Sequence, residues 1–253
     1  MDFFNDLHSF YKSFKGEKGS IGKSFLNRDI YYFTVFKSPF PRIIVQYSIH
    51  AREYVTTYLS FLQIIDFIKN GNKGAVCFIP CVNPDGVEKV FTENPLYKAN
   101  ARGVDLNVNF DANWSKGEKN VFTSGAENYV GEFAFSEPET CALRDFTCLF
   151  KPSATISYHA KGEEIYWRFN QTGRDLIRDK KIADLLALKT GYVVKETPFS
   201  VGGYKDWCIS ALKIPSFTIE VGDDNLSHPI EKKYAKEIFE KNKGVIQALT
   251  EIL

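Results

Sequence analysis

The sequence predicts an α/β fold in which helices cover both faces of a largely parallel sheet. Two observations carry this: short apolar runs alternate with stretches of helical periodicity, and those runs are continuous, as strands buried on both faces require. Strands are expected over residues 29–36, 42–49, 75–79, 154–158 and 217–221. Ile43-Ile44-Val45 and Ala75-Val76-Cys77-Phe78-Ile79 are the clearest apolar runs. Helices are expected over 54–69, 137–150, 174–190 and 229–252. The second of these starts at Ser136-Glu-Pro-Glu139, which fits a capping box with proline in the first turn. The last sets Ile230, Tyr234, Ile238, Phe239 and Val245 at helical spacing, with lysines and glutamates between them. Between Asn83 and Gly131 runs a segment rich in Asn, Gly and Asp with weak periodicity. A connection that long inside a compact domain is usually functional. No linker divides the chain, so residues 1–253 are read as one domain.

Composition narrows the function. With 253 residues, 44% apolar and 25% charged, the chain is neither disordered, collagenous nor coiled coil. Its formal charge of +1 shows no basic excess, and a nucleic-acid partner is not expected. No window reaches the ~18 uncharged apolar residues of a membrane helix. The start, Met1-Asp2-Phe3-Phe4-Asn5-Asp6, lacks the basic residues and apolar run of a signal peptide. Five cysteines (Cys77, Cys81, Cys141, Cys148, Cys208) are an odd number among apolar neighbours. They read as free thiols in a reducing compartment, and a cytoplasmic location is expected. Cys77 and Cys81 lack the second pair that a structural zinc site needs.

Chemistry has few places to sit. There is no HExxH helix and no GxSxG elbow, and Gly22-Lys23-Ser24 lacks the upstream glycine of a P-loop. Of four histidines, His8 reads as the surface of an N-terminal helix and His228 as a helix-start residue. Trp114, Trp167 and Trp207 read as packing, and Glu163 and Glu164 as a solvated loop or supports for His159. His50-Ala-Arg-Glu53 follows the strand over 42–49, His159 follows the strand over 154–158, and Glu220 lies near the end of another. An isolated H-x-x-E is a common coincidence. In open α/β sheets, however, ligands gather at the carboxyl ends of strands. Three strands thus bring two histidines and two carboxylates to one edge. Two histidines with one carboxylate form a catalytic zinc set with a position left for water. The other carboxylate is what is needed to take that water's proton.

Further strings stand in order with these: Ile21-Gly22-Lys23-Ser24, Asn83-Pro-Asp-Gly86, Lys98-Ala-Asn-Ala-Arg-Gly-Val-Asp-Leu-Asn107, Phe135-Ser-Glu-Pro-Glu-Thr140, Gly202-Gly-Tyr-Lys-Asp-Trp207 and Thr218-Ile-Glu220. Together they resemble, nearly end to end, the zinc carboxypeptidase-type metallopeptidases (peptidase family M14). The resemblance implies a mixed sheet of about eight strands and one Zn2+ per chain. It implies His50, Glu53 and His159 as metal ligands, Glu220 as general base and Arg102 as the group that stabilises the oxyanion. The implied reaction is promoted-water hydrolysis of an amide, with Glu220 taking the water's proton and passing it to the leaving amine.

Departures from the family pattern bear on the substrate. Where carboxypeptidases read Asn-Arg-Asn, this chain reads Asn107-Val108-Asn109, and valine cannot supply arginine's bidentate carboxylate clamp. That loss, with the strings at 98–107 and 202–207, resembles the γ-D-glutamyl–diamino acid peptidase branch. The implied substrate is a small acidic peptide, foremost a murein stem peptide cut between D-glutamate and meso-diaminopimelate. Asn107, Arg52 and Lys205 are the expected carboxylate binders. The family's mobile tyrosine is missing from Glu196-Thr-Pro-Phe-Ser200, which leaves Tyr204 as the tyrosine that could reach substrate. Rival readings are a general metallocarboxypeptidase clamped by Arg52 or Lys205, and a non-catalytic binder with the same fold.

Overall fold

A computed structural model of the chain describes residues 2–196 and 200–253. In chain order its elements are α1 (Phe3–Ser13), β1 (Glu17–Lys23), β2 (Asp29–Phe36), β3 (Arg42–Tyr47), α2 (Val55–Asn70), β4 (Ala75–Ile79), α3 (Pro84–Thr92) and α4 (Pro138–Phe150). They continue with β5 (Ala154–His159), β6 (Glu164–Tyr166), α5 (Gly173–Thr190), β7 (Val193–Lys195), α6 (Tyr204–Leu212), β8 (Ser216–Glu220), α7 (Ala235–Asn242) and α8 (Val245–Ile252). The strands form one mixed eight-stranded sheet in the order β1-β2-β4-β3-β5-β8-β6-β7. The centre, β4-β3-β5-β8, is parallel, and the β1–β2, β2–β4 and β8–β6 pairs are antiparallel.

The apolar runs become central strands because both faces are covered. Ile43, Val45, Tyr47, Phe78, Ile156 and Tyr158 point into one core, while Ile44, Cys77 and Ile79 point into the other. The first core also holds Tyr47 and Tyr158 on adjacent strands, their rings stacked 5.1 Å apart. The Tyr47 hydroxyl donates to Gln63 Oε1 (2.6 Å), and Gln63 Nε2 donates to the Tyr158 hydroxyl (2.8 Å), so buried polar atoms are matched just below the strand ends.

Some expectations change. The strand expected over 42–49 stops at Tyr47, because Ser48 adopts φ +49° and turns the chain out of the sheet. The helix expected over 229–252 divides into a short turn (Lys232–Tyr234), α7 and α8, broken at Gly244, whose φ is +78°. The capping box at Ser136 does not form. Glu137 holds the N-cap position, Ser136 Oγ donates to the Glu137 carboxylate, and Glu139 accepts instead from Phe25 N and Asn100 Nδ2. Pro138 still opens the helix.

Candidate active site

His50 leaves β3 through Ser48, whose amide donates to Thr56 Oγ1 (3.0 Å), and becomes the N-cap of a 3-10 turn over Ala51–Glu53. That single turn brings Glu53 back onto it, with His50 Nδ1 2.9 Å from Glu53 Oε1. His159 ends β5, its Nδ1 3.1 Å from Glu53 Oε2 and 3.0 Å from His50 Nδ1. The Ala160 amide donates to Glu53 Oε2 (3.2 Å) and fixes the carboxylate. Parallel pairing of β5 with β8 sets Glu220 directly opposite His159. The structure thus brings His50, Glu53, His159 and Glu220 to one sheet edge.

The donor set fits zinc. One ligand atom from each of His50, Glu53 and His159 lies within 4.8 Å of the others, and all three residues are buried. Two imidazole nitrogens 3.0 Å apart, both against one carboxylate, are poorly matched as a hydrogen-bonded trio but suit a shared cation. Behind them, Asp105 is fully buried, with Oδ1 3.2 Å from His50 Nε2 and Oδ2 2.7 Å from Lys98 Nζ. It also accepts from the Asn107 amide (3.1 Å) and the Asn128 amide (3.2 Å). A carboxylate behind a ligating histidine sets its orientation and basicity. Sequence reasoning gave Asp105 and Lys98 no role. Their signal was present, an acid within an apolar Gly-Val-Asp-Leu string and a lysine opening it, but the contacts are tertiary.

Charge follows this geometry. Burial opposes ionisation of Glu53, yet His50 and His159 hold its carboxyl well below the usual range. Burial likewise opposes ionisation of Asp105, and Lys98 and His50 overcome it. Burial also works against a charged His50, but Glu53 and Asp105 prevail and its pKa is raised. Glu220 is pushed up to about 8 by burial, against the pull of His159 and with the added push of Glu53. A carboxylate of such basicity accepts a proton readily.

The site opens into a cleft of about 800 Å3. Arg52, Asn107 and Lys205 line it, as expected. Arg52 Nη1 donates to Glu127 (3.2 Å), and Asn107 Oδ1 accepts from the Tyr204 amide (3.2 Å). Lys205 is buried, pairs with Asp206 and donates to the Arg168 carbonyl (3.1 Å). Val108, Tyr166 and Thr218 also line it. Gly202 has φ +87°, and a Cβ there would come within 3.1 Å of the Val108 carbonyl oxygen. The Phe110 amide donates to the Gly202 carbonyl (2.9 Å), so segments 107–110 and 202–204 run in contact.

Two expected residues lie elsewhere. Tyr204 is fully buried, its hydroxyl 2.8 Å from Thr147 Oγ1 and its ring against Phe110 and Trp207 in the second core. On a helix, consecutive side chains diverge by about 100°, so Lys205 on the cleft puts Tyr204 against the sheet. Arg102 points away from the cleft. Its Nη2 is 3.1 Å from Glu132 and its Nε 3.8 Å from Glu137, and the guanidinium lies over the Phe25 ring. The expectation about the loop 196–200 falls partly on Thr197, Pro198 and Phe199, outside the described residues.

The remaining residues have plain roles. His8 is exposed on α1, and Trp167 and Trp207 are buried packing. His228 precedes Pro229 outside any helix, correcting its assignment as a helix start; burial lowers its pKa. Glu164 faces Glu220 across β6 and β8 and bonds to Tyr166 and Lys195, whereas Glu163 pairs with Lys241 at the surface.

The family model described as zinc carboxypeptidase matches residues 4–243. Gamma-D-glutamyl-L-diamino acid endopeptidase 1 of Lysinibacillus sphaericus is 27% identical over 79% of this chain and 61% of its own length. Murein peptide amidase A of Escherichia coli is 36% identical over 51% of this chain and 50% of its own. The chain thus spans less than two thirds of either relative. Among solved structures, bovine thrombin-activatable fibrinolysis inhibitor in complex with tick carboxypeptidase inhibitor superposes with a TM-score of 0.85. That match covers 99% of this chain and 96% of the other at 19% identity, a likeness of fold.

Proposed function

The chain belongs to the zinc carboxypeptidase family, and from that premise we propose that it is a zinc-dependent metallopeptidase acting on small acidic peptides, foremost on γ-D-glutamyl–meso-diaminopimelate bonds of murein stem peptides. The observation that carries the proposal is the convergence of His50, Glu53 and His159 beside Glu220 on one sheet edge. When bound, Zn2+ supplies Lewis acidity and brings the pKa of a water toward neutrality. Every other task falls to the chain. Glu53 and the two histidines would hold the ion, and Asp105, 3.2 Å from His50 Nε2, would fix the ring of that ligand. Glu220 accepts the water's proton and hands it to the departing nitrogen. Glu220 must be ionised to take that proton, and the positive charge of a bound cation would favour its carboxylate form.

Substrate preference rests on the cleft wall. Val108 offers no donor where a terminal carboxylate would need a planar clamp. Arg52, Lys205 and Asn107 remain to meet the carboxylates of an acidic peptide. The Lysinibacillus sphaericus relative is by its name a gamma-D-glutamyl-L-diamino acid endopeptidase, which supports the same substrate class here. Cys77, Cys81 and Cys208 are buried free thiols, which supports a reducing, cytoplasmic setting and a part in handling wall fragments.

Parallel assays on a γ-D-glutamyl–diaminopimelate peptide and on an ordinary peptide with a free C-terminus test this. We expect about one zinc per chain and cleavage of the first peptide. Glu220→Gln is expected to lower kcat by roughly 10²- to 10⁴-fold at unchanged zinc content. Cleavage of only the second peptide would replace the substrate with that of a general metallocarboxypeptidase. A purified chain that takes up no zinc would end the enzyme reading.

A further inference from the structure

Two cation–carboxylate contacts on the cleft wall differ in kind. Lys205 and Asp206 are both buried, whereas Glu127 stands half-exposed against Arg52. We propose that the Arg52–Glu127 pair reads the unblocked amino end of the substrate. Arg52 takes the α-carboxylate of the γ-linked D-glutamate, and Glu127 takes a free ammonium one residue beyond it. The proposal rests on the metallopeptidase reading above and narrows its substrate to stem peptides already detached at their amino end.

Arg52 lies in the 3-10 turn between the ligands His50 and Glu53, so its side chain starts from the ligand turn itself. Its Nη1 is engaged by Glu127 (3.2 Å) and the Leu96 carbonyl (3.4 Å), while Nε is buried with no partner among the described residues. A guanidinium has five N–H donors, so several are left for a carboxylate. Glu127 is fixed from both sides by main chain. The Ala126 carbonyl accepts from the Lys98 and Ala99 amides (3.1 and 2.9 Å), and the Asn128 amide donates to Asp105 Oδ2 (3.2 Å). Among the described residues Arg52 is the partner of one Glu127 oxygen, and the other oxygen has none. Glu118 and Lys119 also line the cleft, but both are exposed and their charges cancel. One residue of extended chain advances ~3.6 Å at most, so a carboxylate and the next ammonium are spaced much like two charges in contact. Acylating that amine removes its charge and leaves Glu127 facing a neutral group.

The alternative is that Glu127 only neutralises Arg52. L-alanyl-γ-D-glutamyl–meso-diaminopimelate and its N-acetyl derivative, each given to the zinc-loaded protein, separate the two roles. For wild type, kcat/KM is expected to favour the free amine about tenfold, mainly through KM, as suits one charge-assisted hydrogen bond at a half-exposed site. Glu127→Gln is expected to bring that ratio to about one, with zinc content and melting temperature near wild type, and Glu127→Asp to keep a preference for the free amine. Equal cleavage of the two peptides by wild type would overturn the assignment and leave the metallopeptidase reading standing. So would a Glu127→Gln enzyme that loses activity on both alike, because neutralising Arg52 serves both. Wild-type protein inert toward both peptides and toward an ordinary peptide with a free C-terminus would overturn that reading and the role of Glu127 with it.

Discussion

Tyr204 and Lys205 are adjacent in sequence and opposite in placement. The lysine sits on the cleft wall and the tyrosine in the core, and only the start of α6 at Tyr204 decides which is which. The same holds for Lys98 and Arg102, two cations in one loop, of which the fold turns one toward the ligands and the other toward Glu132 and Glu137. The ligands themselves were legible because each follows a buried strand, and a strand end is a position that hydrophobicity marks. Loop residues carry no such mark, so Arg102 was misplaced and Asp105 overlooked. A test at this scale follows from Tyr204. Tyr204→Phe removes its hydrogen bond to Thr147, while Thr147 Oγ1 keeps its bond to the Leu143 carbonyl (2.6 Å). The expected outcome is a stability loss of about 1 kcal/mol in denaturant melts with kcat and KM unchanged. A large fall in kcat would restore Tyr204 to the reaction.

The N-terminus of α4 shows what sequence patterns miss at the scale of elements. Ser136 and Glu139 have the spacing of a capping box, yet the carboxylate of Glu139 is drawn into a buried network with Phe25 N (3.0 Å) and Asn100 Nδ2 (3.2 Å). Asn100 Nδ2 also donates to Glu137 (2.8 Å), so helix α4 is tied to the loop that leads to Asp105. Burial pushes the Glu139 carboxyl up to about 7 from an ordinary 4.5. Because the folded value is the higher one, its contribution to stability is complete below about pH 4.5 and is lost as pH rises through about 7. The difference amounts to about 3 kcal/mol. Melting curves between pH 5 and pH 8 should therefore fall less steeply for Glu139→Gln than for wild type. Parallel slopes would show that Glu139 is ionised in the folded protein at no cost. The strands divide along a related line. Those with continuous apolar runs, β2 through β5 and β8, were legible. The strands at the two margins were not: β1, one edge, reads Glu-Lys-Gly-Ser-Ile-Gly-Lys, and β7, the other edge, and its neighbour β6 have three residues each. Partly exposed edges are specified by pairing rather than burial.

At the scale of the molecule, alternating apolar runs and helical periods were enough to announce a covered parallel sheet, and the resemblance to a family supplied its mixed edges and strand number. The site then follows from topology, since parallel neighbours β3, β5 and β8 end on the same side. Removing zinc should act on the whole fold. A ligand that binds only the folded chain adds about 4 kcal/mol at a thousandfold excess over its Kd. Chelation is accordingly expected to lower the melting temperature and abolish hydrolysis, with both restored by stoichiometric Zn2+. An unchanged melting temperature in a chain that had carried zinc would mean that the ion contributes nothing to folding. The contact at Gly202 has a consequence for how this cleft can vary. Its walls meet backbone to backbone, with the Val108 carbonyl oxygen 3.1 Å from where a Cβ at Gly202 would sit. The spacing between Asn107 and Lys205 is thereby locked by main chain, like the fixed jaw of a gauge. New preferences can arise by exchanging the side chains on either wall, but the gap itself can widen only if the chain on one side is rebuilt.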